Sequence, residues 1–180
     1  MSSSAYMAFE SAEFSKYLMS FVYYQFYKEY NKAIPYLQKA IALRPDYTEA
    51  YFNLGYCHQM LGHFNDAEKQ YYGALATDSN FTQAYSNLGE IYLQQKAYTQ
   101  AVEMNMKIMK LMPESDLAYI NLGKIYLTQG DTLQSIQNFE IAAEKSPENV
   151  DLLYNLAAFY ERKGNKEKTS FYNNLINKQK

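Results

Sequence analysis

The stretch AYFNLGYCH, residues 50–58, recurs as AYSNLGEIY at 84–92 and AYINLGKIY at 118–126, and more weakly as LLYNLAAFY at 152–160. Successive copies begin 34 residues apart. One step upstream, KYLMSFVYY at 16–24 keeps the aromatic spacing but loses the Asn-Leu-Gly core. A constant offset of this length is typical of arrays built from small helical units. The sequence therefore predicts an internal repeat that extends over most of the chain.

Each repeat encodes two helices separated by a turn. In residues 48–81, four residues follow the spacing i, i+3, i+4, i+7 of one helix face, and three more follow i, i+4, i+7. They are Tyr51, Leu54, Gly55 and His58 in the first helix and Ala67, Tyr71 and Ala74 in the second. Gly62 lies between the two sets, where a helix has to stop and turn. The pattern predicts a helical hairpin whose apolar face is covered by neighbouring hairpins.

The repeat offset divides the chain into five registers after a short N-terminal extension or cap. The extension is 1–13, and the registers are 14–47, 48–81, 82–115, 116–149 and 150–180. Pro45, Pro113 and Pro147 follow the second helix of three repeats, since proline cannot continue a helix. Ser115 and Asn149 then offer side-chain oxygens as N-caps of the next first helix.

These residues closely resemble the tetratricopeptide repeat family, whose period and small-residue and aromatic signature they share. The third repeat carries the signature as Tyr85, Leu88, Gly89, Tyr92, Ala101, Asn105, Ile108 and Pro113. The fourth repeat carries it as Tyr119, Leu122, Gly123, Tyr126, Ser135, Phe139, Ala142 and Pro147. Asn105 departs from the signature where an aromatic residue is expected. The resemblance implies an all-α, right-handed superhelical solenoid whose first helices line a concave surface.

The composition excludes several classes of function. The chain has 17 Lys and Arg against 19 Asp and Glu, and this balance lacks the basic excess of a protein built to bind nucleic acid. Its single cysteine excludes an internal disulfide framework and a CxxC zinc site. The most apolar stretch, residues 17–27, is about half the length needed to cross a bilayer. Since the N-terminus also lacks the pattern of a signal peptide, we expect a cytoplasmic protein with no membrane insertion.

The chain offers little chemistry for catalysis or for binding metals. Cys57, His58 and His63 are its only thiol and imidazole groups, and a metal site built on them would lack further ligands. We interpret Cys57 as a small buried residue and His58 as a packing residue at the edge of the core. No glycine-rich phosphate-binding loop occurs. The sequence predicts no enzyme activity, no metal site and no cofactor.

The strongest functional candidate is a row of asparagines, Asn53, Asn87, Asn121 and Asn155, at the sixth position of four consecutive repeats. We call this row the asparagine ladder. It resembles the ladder of O-linked N-acetylglucosamine transferase-type arrays, which implies that the amides face the concave groove and grip the main chain of an extended peptide. An amide suits this role because it both donates and accepts hydrogen bonds. Asparagine is also common at this position without a ligand, so a purely structural role is the alternative.

Residues around the asparagine ladder would then determine which partner is bound. They form a mixed polar and aromatic set: Phe52, Tyr56, Gln83, Glu90, Ile120, Lys124 and Tyr154. Such a groove could hold apolar anchor side chains beside a gripped main chain. The sequence therefore predicts a non-catalytic adaptor that binds an extended or helical segment of a protein partner.

The first repeat differs because its groove positions are apolar: Leu18, Met19, Val22 and Phe26. We call these four residues the apolar stripe. An exposed stripe of this kind usually has a covering, and two explanations remain open. The preceding segment, residues 5–9, could fold over it as a cap, or a partner or second copy could cover it. In the second case the chain would be an architectural subunit, or a homo-oligomer joined through its terminal repeats.

Overall fold

The computed structural model describes residues 15–179. The predicted extension 1–13 and the proposed cap at 5–9 lie outside the described residues. Residues 15–21 are α-helical and continue into a π-helical turn, Val22–Phe26, and we call the two together α1. The following helices are α2 Tyr30–Leu43, α3 Thr48–Met60, α4 Phe64–Thr77, α5 Thr82–Gln94, α6 Tyr98–Leu111, α7 Leu117–Gln129, α8 Thr132–Lys145, α9 Val150–Arg162 and α10 Lys166–Asn177.

Side-chain caps begin the last three helices. Asp131 accepts a hydrogen bond from the backbone N–H of Gln134 at 3.0 Å, and Asn165 accepts one from Lys168 at 3.1 Å. Asn149 accepts one from the N–H of Leu152 at 3.2 Å, which confirms the cap predicted there. Each cap satisfies one of the N–H groups that have no partner in the first turn of a helix.

The turn within each hairpin contains one residue in the left-handed backbone region. These residues are Lys28, Gly62, Lys96, Gly130 and Gly164, with φ between 56° and 84°. They recur at the period of the repeat, so every hairpin uses the same reversal of chain direction. Glycine adopts this conformation without a steric penalty, whereas lysine does not.

The chain divides into two compact parts, Met1–Ile91 and Tyr92–Lys180. In the first part α1 packs on α2, α2 on α3 and α3 on α4. Its core contains Tyr24, Ala33, Leu37, Ala40, Ala50, Leu54 and Cys57. The two helices of the α3–α4 hairpin approach closely at Gly55, where a methyl group would lie 2.8 Å from the Tyr71 ring.

The second part repeats this arrangement with its own core. Here α6 packs on α7, α7 on α8, α8 on α9 and α9 on α10. The core contains Ala142, Ala143, Leu152, Leu153, Leu156, Ala157, Tyr172 and Ile176. Gly123 corresponds to Gly55, because a methyl group there would lie 2.6 Å from the Phe139 ring.

The predicted all-α fold of helical hairpins is confirmed. Residues 15–179 contain helices, turns and bends but no β-strand. Within that range, every helix is too short or too polar to span a lipid bilayer. The register boundaries stay a prediction of the sequence.

Candidate functional site

The first two members of the asparagine ladder make hydrogen bonds inside the protein. The side chain of Asn53 is buried, and its amide nitrogen donates to the hydroxyl of Tyr17 at 2.8 Å. Asn87 is half-buried and donates to the hydroxyl of Tyr71 at 2.8 Å. Each bond uses one amide hydrogen and fixes the orientation of the amide.

The Tyr71 hydroxyl connects the side chains of Asn87 and Gln59 in the first part. It accepts from Asn87 and donates to the Gln59 carbonyl oxygen at 2.6 Å. Burial raises the pKa of Tyr71, an effect that the hydrogen bond from Asn87 partly opposes. The phenol therefore stays neutral at physiological pH and can both donate and accept.

The last member of the asparagine ladder has a different environment. Asn155 lies on α9 and is exposed, whereas Asn121 on α7 is half-buried. In the repeat pattern, Phe139 precedes Asn155 by the same number of residues as Tyr71 precedes Asn87. Phenylalanine has no hydroxyl, so it cannot accept a hydrogen bond from the Asn155 amide as Tyr71 does from Asn87.

Asn155 lies beside a cavity of about 360 Å³ formed by α7, α8 and α9. Most of the lining is apolar and includes Leu127, Ile136, Phe139, Leu152, Leu156 and Phe159. The polar lining consists of Thr132, Ser135, Asn155 and Arg162. The Ser135 hydroxyl is buried and has no hydrogen-bond partner among residues 15–179. A cavity with apolar walls and a few polar groups is typical of a ligand pocket.

Sequence reasoning missed most of this cavity. The sequence places Ser135 only in the repeat signature, and it does not single out Phe159 as a binding residue. Phe159 and Arg162 lie one and two turns beyond Asn155 on α9, so helical spacing was the signal that could have identified them.

The other predicted groove residues divide into two groups. Four are exposed, namely Gln83, Glu90, Lys124 and Tyr154. Three are half-buried and pack against the protein itself. The Phe52 ring centroid lies 5.5 Å from that of Tyr71, the Tyr56 ring centroid lies 6.1 Å from that of Tyr30, and Ile120 packs against the core of the second part.

The apolar stripe is largely exposed. Leu18 is 48% exposed, Met19 39% and Phe26 70%, while Val22 is half-buried. Phe26 ends the π-helical turn Val22–Phe26, and its ring lies edge-on to Phe21 with centroids 5.8 Å apart. π-Helical turns are rare and often accompany functional sites.

The two imidazoles of the chain meet a carboxylate in the turn between α3 and α4. One ligand atom from each of His58, His63 and Asp66 lies within 4.8 Å of the others. Cys57 is not part of this cluster because it is fully buried, and burial raises the pKa of its thiol to about 12. Sequence reasoning missed Asp66 because the acidic residues are scattered along the sequence and show no shared pocket.

Two sequence-family models, both described as tetratricopeptide repeat, match the chain. One covers residues 27–71, and the other covers 58–104 and 120–168, which is more than half of the chain. No curated protein matches the chain significantly.

Solved structures with similar folds include PilF of Pseudomonas aeruginosa, at 21% identity and a TM-score of 0.76, with 96% of this chain and 78% of PilF covered. MamA of Desulfovibrio magneticus RS-1 is 18% identical with a TM-score of 0.72, covering 93% of this chain and 94% of MamA. YrrB, described as having an unusual peptide-binding site, is 18% identical with a TM-score of 0.62, covering 89% and 82%. At these identities the likeness concerns the fold.

Proposed function

The chain belongs to the tetratricopeptide repeat family, and on that premise we propose that it is a non-catalytic adaptor that binds an extended segment of a protein partner. Repeats of this kind expose elongated surfaces that suit protein–protein interaction. The observation that carries the proposal is the exposed Asn155 amide beside an apolar cavity of about 360 Å³.

The cavity defines the chemistry of the bound segment. An apolar side chain of the partner enters between Phe139 and Phe159 and removes their rings from water. The Asn155 amide then binds the partner's main chain, for which its donor and acceptor are matched. This division of roles gives affinity through the main chain and specificity through the anchor side chain.

One further polar group, the Arg162 guanidinium, favours an acidic group near the anchor. The Arg162 Nε donates to the Ala158 carbonyl oxygen at 3.3 Å, and the remaining N–H groups of the guanidinium can bind a carboxylate. The partner segment therefore combines an apolar residue with a neighbouring acidic one.

A random peptide library displayed on phage and selected against the full chain tests this function. Selected peptides should contain the apolar and acidic pair. They should bind Asn155→Ala at least tenfold more weakly by fluorescence anisotropy, because a lost hydrogen bond of about 1.4 kcal/mol corresponds to tenfold. Phe139→Tyr should also weaken binding, since the new hydroxyl narrows the cavity and can engage Asn155.

Asn174→Ala is the matched control, because Asn174 is an exposed asparagine on α10 outside the cavity. It should bind the selected peptides as the wild type does. Equal binding by Asn155→Ala and the wild type, or no enrichment of peptides, would contradict the proposal.

The exposed apolar stripe supports a second candidate, an architectural subunit that self-associates through its first repeat. Leu18 and Phe26 expose large apolar side chains that an interface would cover. Solution mass should then rise with concentration above the 21.0 kDa of one chain. Phe26→Glu should abolish the rise, while Phe171→Glu, on the exposed face of α10, should not. A constant mass of one chain would contradict this candidate.

The remaining binding residues stay predictions: Asn53, Asn87 and Asn121, with Phe52, Tyr56, Gln83, Glu90, Ile120, Lys124 and Tyr154. A cytoplasmic location also stays a prediction of the sequence.

A further inference from the structure

Both histidines of the chain lie at one end of the α3–α4 hairpin. His58 is in the last turn of α3, and His63 is the residue before α4. Their ring centroids are 6.0 Å apart. Asp66, in the first turn of α4, completes the group. The chain therefore places all of its imidazole groups and one carboxylate at a single turn.

Backbone hydrogen bonds hold this turn in place. Gly62, with φ of 77°, reverses the chain between the histidines. The N–H of His63 donates to the His58 carbonyl oxygen at 2.9 Å, and the N–H of Ala67 donates to the His63 carbonyl oxygen at 3.0 Å. The Cα positions of the three side chains are thus fixed by two helix ends and a tight turn, and only side-chain rotation remains.

The ligand atoms are close enough to share one ion. One from each side chain lies within 4.8 Å of the others. Bonds of about 2.0–2.2 Å from nitrogen and oxygen to zinc put neighbouring ligand atoms about 3.4 Å apart in a tetrahedral site. His63 and Asp66 are exposed, so small rotations of their side chains can close that difference without moving the core.

His58 provides a second observation. Its Nδ1 atom is buried and has no hydrogen-bond partner within the described part of the chain. Such an atom costs free energy, which a cation bound at Nδ1 itself would offset.

We propose that His58, His63 and Asp66 bind one divalent transition-metal ion of the zinc class. Two imidazoles and a carboxylate select zinc, cobalt, nickel or copper over magnesium and calcium, which prefer oxygen ligands. Three protein ligands leave a fourth position for water or for a group from another molecule.

The site is specific to one repeat of the array. The residues aligned with His58, His63 and Asp66 are Tyr92, Ala97 and Gln100 in the third repeat, Tyr126, Asp131 and Gln134 in the fourth, and Tyr160, Asn165 and Lys168 in the fifth. None of these sets contains an imidazole. Metal binding therefore belongs to the α3–α4 turn and is separate from the cavity beside Asn155.

The test is a titration of the full chain with zinc chloride, measured by isothermal titration calorimetry. Any histidine tag is removed first. The wild type should bind one zinc ion per chain, and His63→Gln should lower the affinity at least tenfold. Asp66→Asn should lower it by a smaller factor, since its amide oxygen is a weaker ligand. Cobalt should give the visible absorption bands of a nitrogen- and oxygen-ligated ion in the wild type only.

Two controls keep the result interpretable. Glu103→Gln makes the same kind of charge change at an exposed residue of α6 and should leave zinc affinity unchanged. Circular dichroism should show that His63→Gln keeps its helix content, since His63 is exposed. Zinc binding by His63→Gln equal to that of the wild type, or no saturable binding of zinc and cobalt by the wild type, would overturn the proposal.

Discussion

The hairpins α3–α4 and α7–α8 share a packing scheme, but the aromatic ring that fills it has a hydroxyl group only in α3–α4. In both, an aromatic ring on the second helix lies against a glycine on the first, Tyr71 on Gly55 and Phe139 on Gly123. The Tyr71 hydroxyl accepts a hydrogen bond from Asn87. Phe139 has no hydroxyl, and the corresponding asparagine, Asn155, is exposed beside the cavity.

The comparison shows how a repeat array can change the environment of an asparagine without altering the asparagine itself. An asparagine next to tyrosine is held by the protein's own side chains, whereas an asparagine next to phenylalanine keeps its amide for other partners. Four predictions test the shared packing and then the differences, from the largest expected effect to the smallest.

Gly55→Ala and Gly123→Ala test the packing that the two hairpins share. The added methyl group would lie 2.8 Å from the Tyr71 ring or 2.6 Å from the Phe139 ring, so the ring has to move. We expect each change to lower the free energy of unfolding by about 2 kcal/mol, since overpacking outweighs the gain in helix propensity. Urea denaturation followed by circular dichroism measures this.

A smaller side chain opposite the glycine provides the control for the glycine changes. Adding Phe139→Leu to Gly123→Ala should recover part of the loss, because the double variant makes room for the methyl group. If Gly123→Ala alone is as stable as the wild type, that result would contradict the close contact between Gly123 and the Phe139 ring.

Tyr71→Phe tests the difference between the hairpins directly. It removes the hydroxyl that links Asn87 and Gln59, and we expect a loss of about 1–2 kcal/mol because both groups lose a partner. The reverse change, Phe139→Tyr, adds a hydroxyl at an open cavity and should alter stability by less than about 0.5 kcal/mol.

A double-mutant cycle separates the hydrogen bond from other effects of these changes. Tyr71→Phe and Asn87→Ala should couple by about 1 kcal/mol, while Phe139→Leu and Asn155→Ala should be additive. If the effects of Tyr71→Phe and Asn87→Ala are additive, the Tyr71 hydroxyl does not explain the difference between Asn87 and Asn155.

The second hairpin also contains a carboxylate where the first has Tyr72, namely Glu140. Glu140 accepts hydrogen bonds from Tyr160 at 2.8 Å and Tyr172 at 3.2 Å, and from Lys168. Burial alone would raise the pKa of Glu140, but the bonds from Lys168 and Tyr160 outweigh it and lower the pKa. The charged form is therefore more stable in the folded chain than in the unfolded one.

Glu140→Gln should accordingly cost about 1 kcal/mol at neutral pH. Because the pKa of Glu140 is lower in the folded state, its contribution is complete above the ordinary value of 4.5 and is lost as pH falls through the lowered value. The stability difference between the wild type and Glu140→Gln should therefore shrink below pH 4.5. A constant difference between the wild type and Glu140→Gln down to acidic pH would contradict the assignment.

The smallest effects are expected at the turns. Both compared hairpins have glycine at the left-handed residue, Gly62 and Gly130, whereas the first and third repeats have Lys28 and Lys96. Lys96→Gly should raise stability by about 0.5 kcal/mol, because relief of left-handed strain exceeds the added flexibility of the unfolded chain. Gly130→Ala should lower it. Lys107→Gly, inside α6, is the control and should be destabilising, and a loss of stability in Lys96→Gly would contradict the turn geometry.

The fold could be predicted from the sequence because it depends on residues that recur. Spacings of three and four residues specify the helix faces, and glycine marks the turns. These signals lie within one hairpin and recur at the same offset along the chain. The all-α fold was predicted correctly for this reason.

The state of the asparagine ladder could not be predicted from the asparagines themselves. Asn87 and Asn155 occupy the same place in their repeats, and only the preceding second helix distinguishes them. Tyr71 and Phe139 are both aromatic signature residues in the sequence. The hydroxyl that only Tyr71 has becomes important once the structure places it beside an asparagine of the next repeat. Asp66 was missed for a similar reason, because it reaches the histidines across a turn.

The burial of Cys57 makes the chain behave toward thiol reagents as if it had no cysteine. The thiol is fully buried and its pKa is raised to about 12, so the reactive thiolate is scarce at neutral pH. A new cysteine at an exposed residue, such as Tyr154→Cys on α9, would be the one that a maleimide dye labels. The native chain is therefore ready for site-specific labelling without first removing its own thiol.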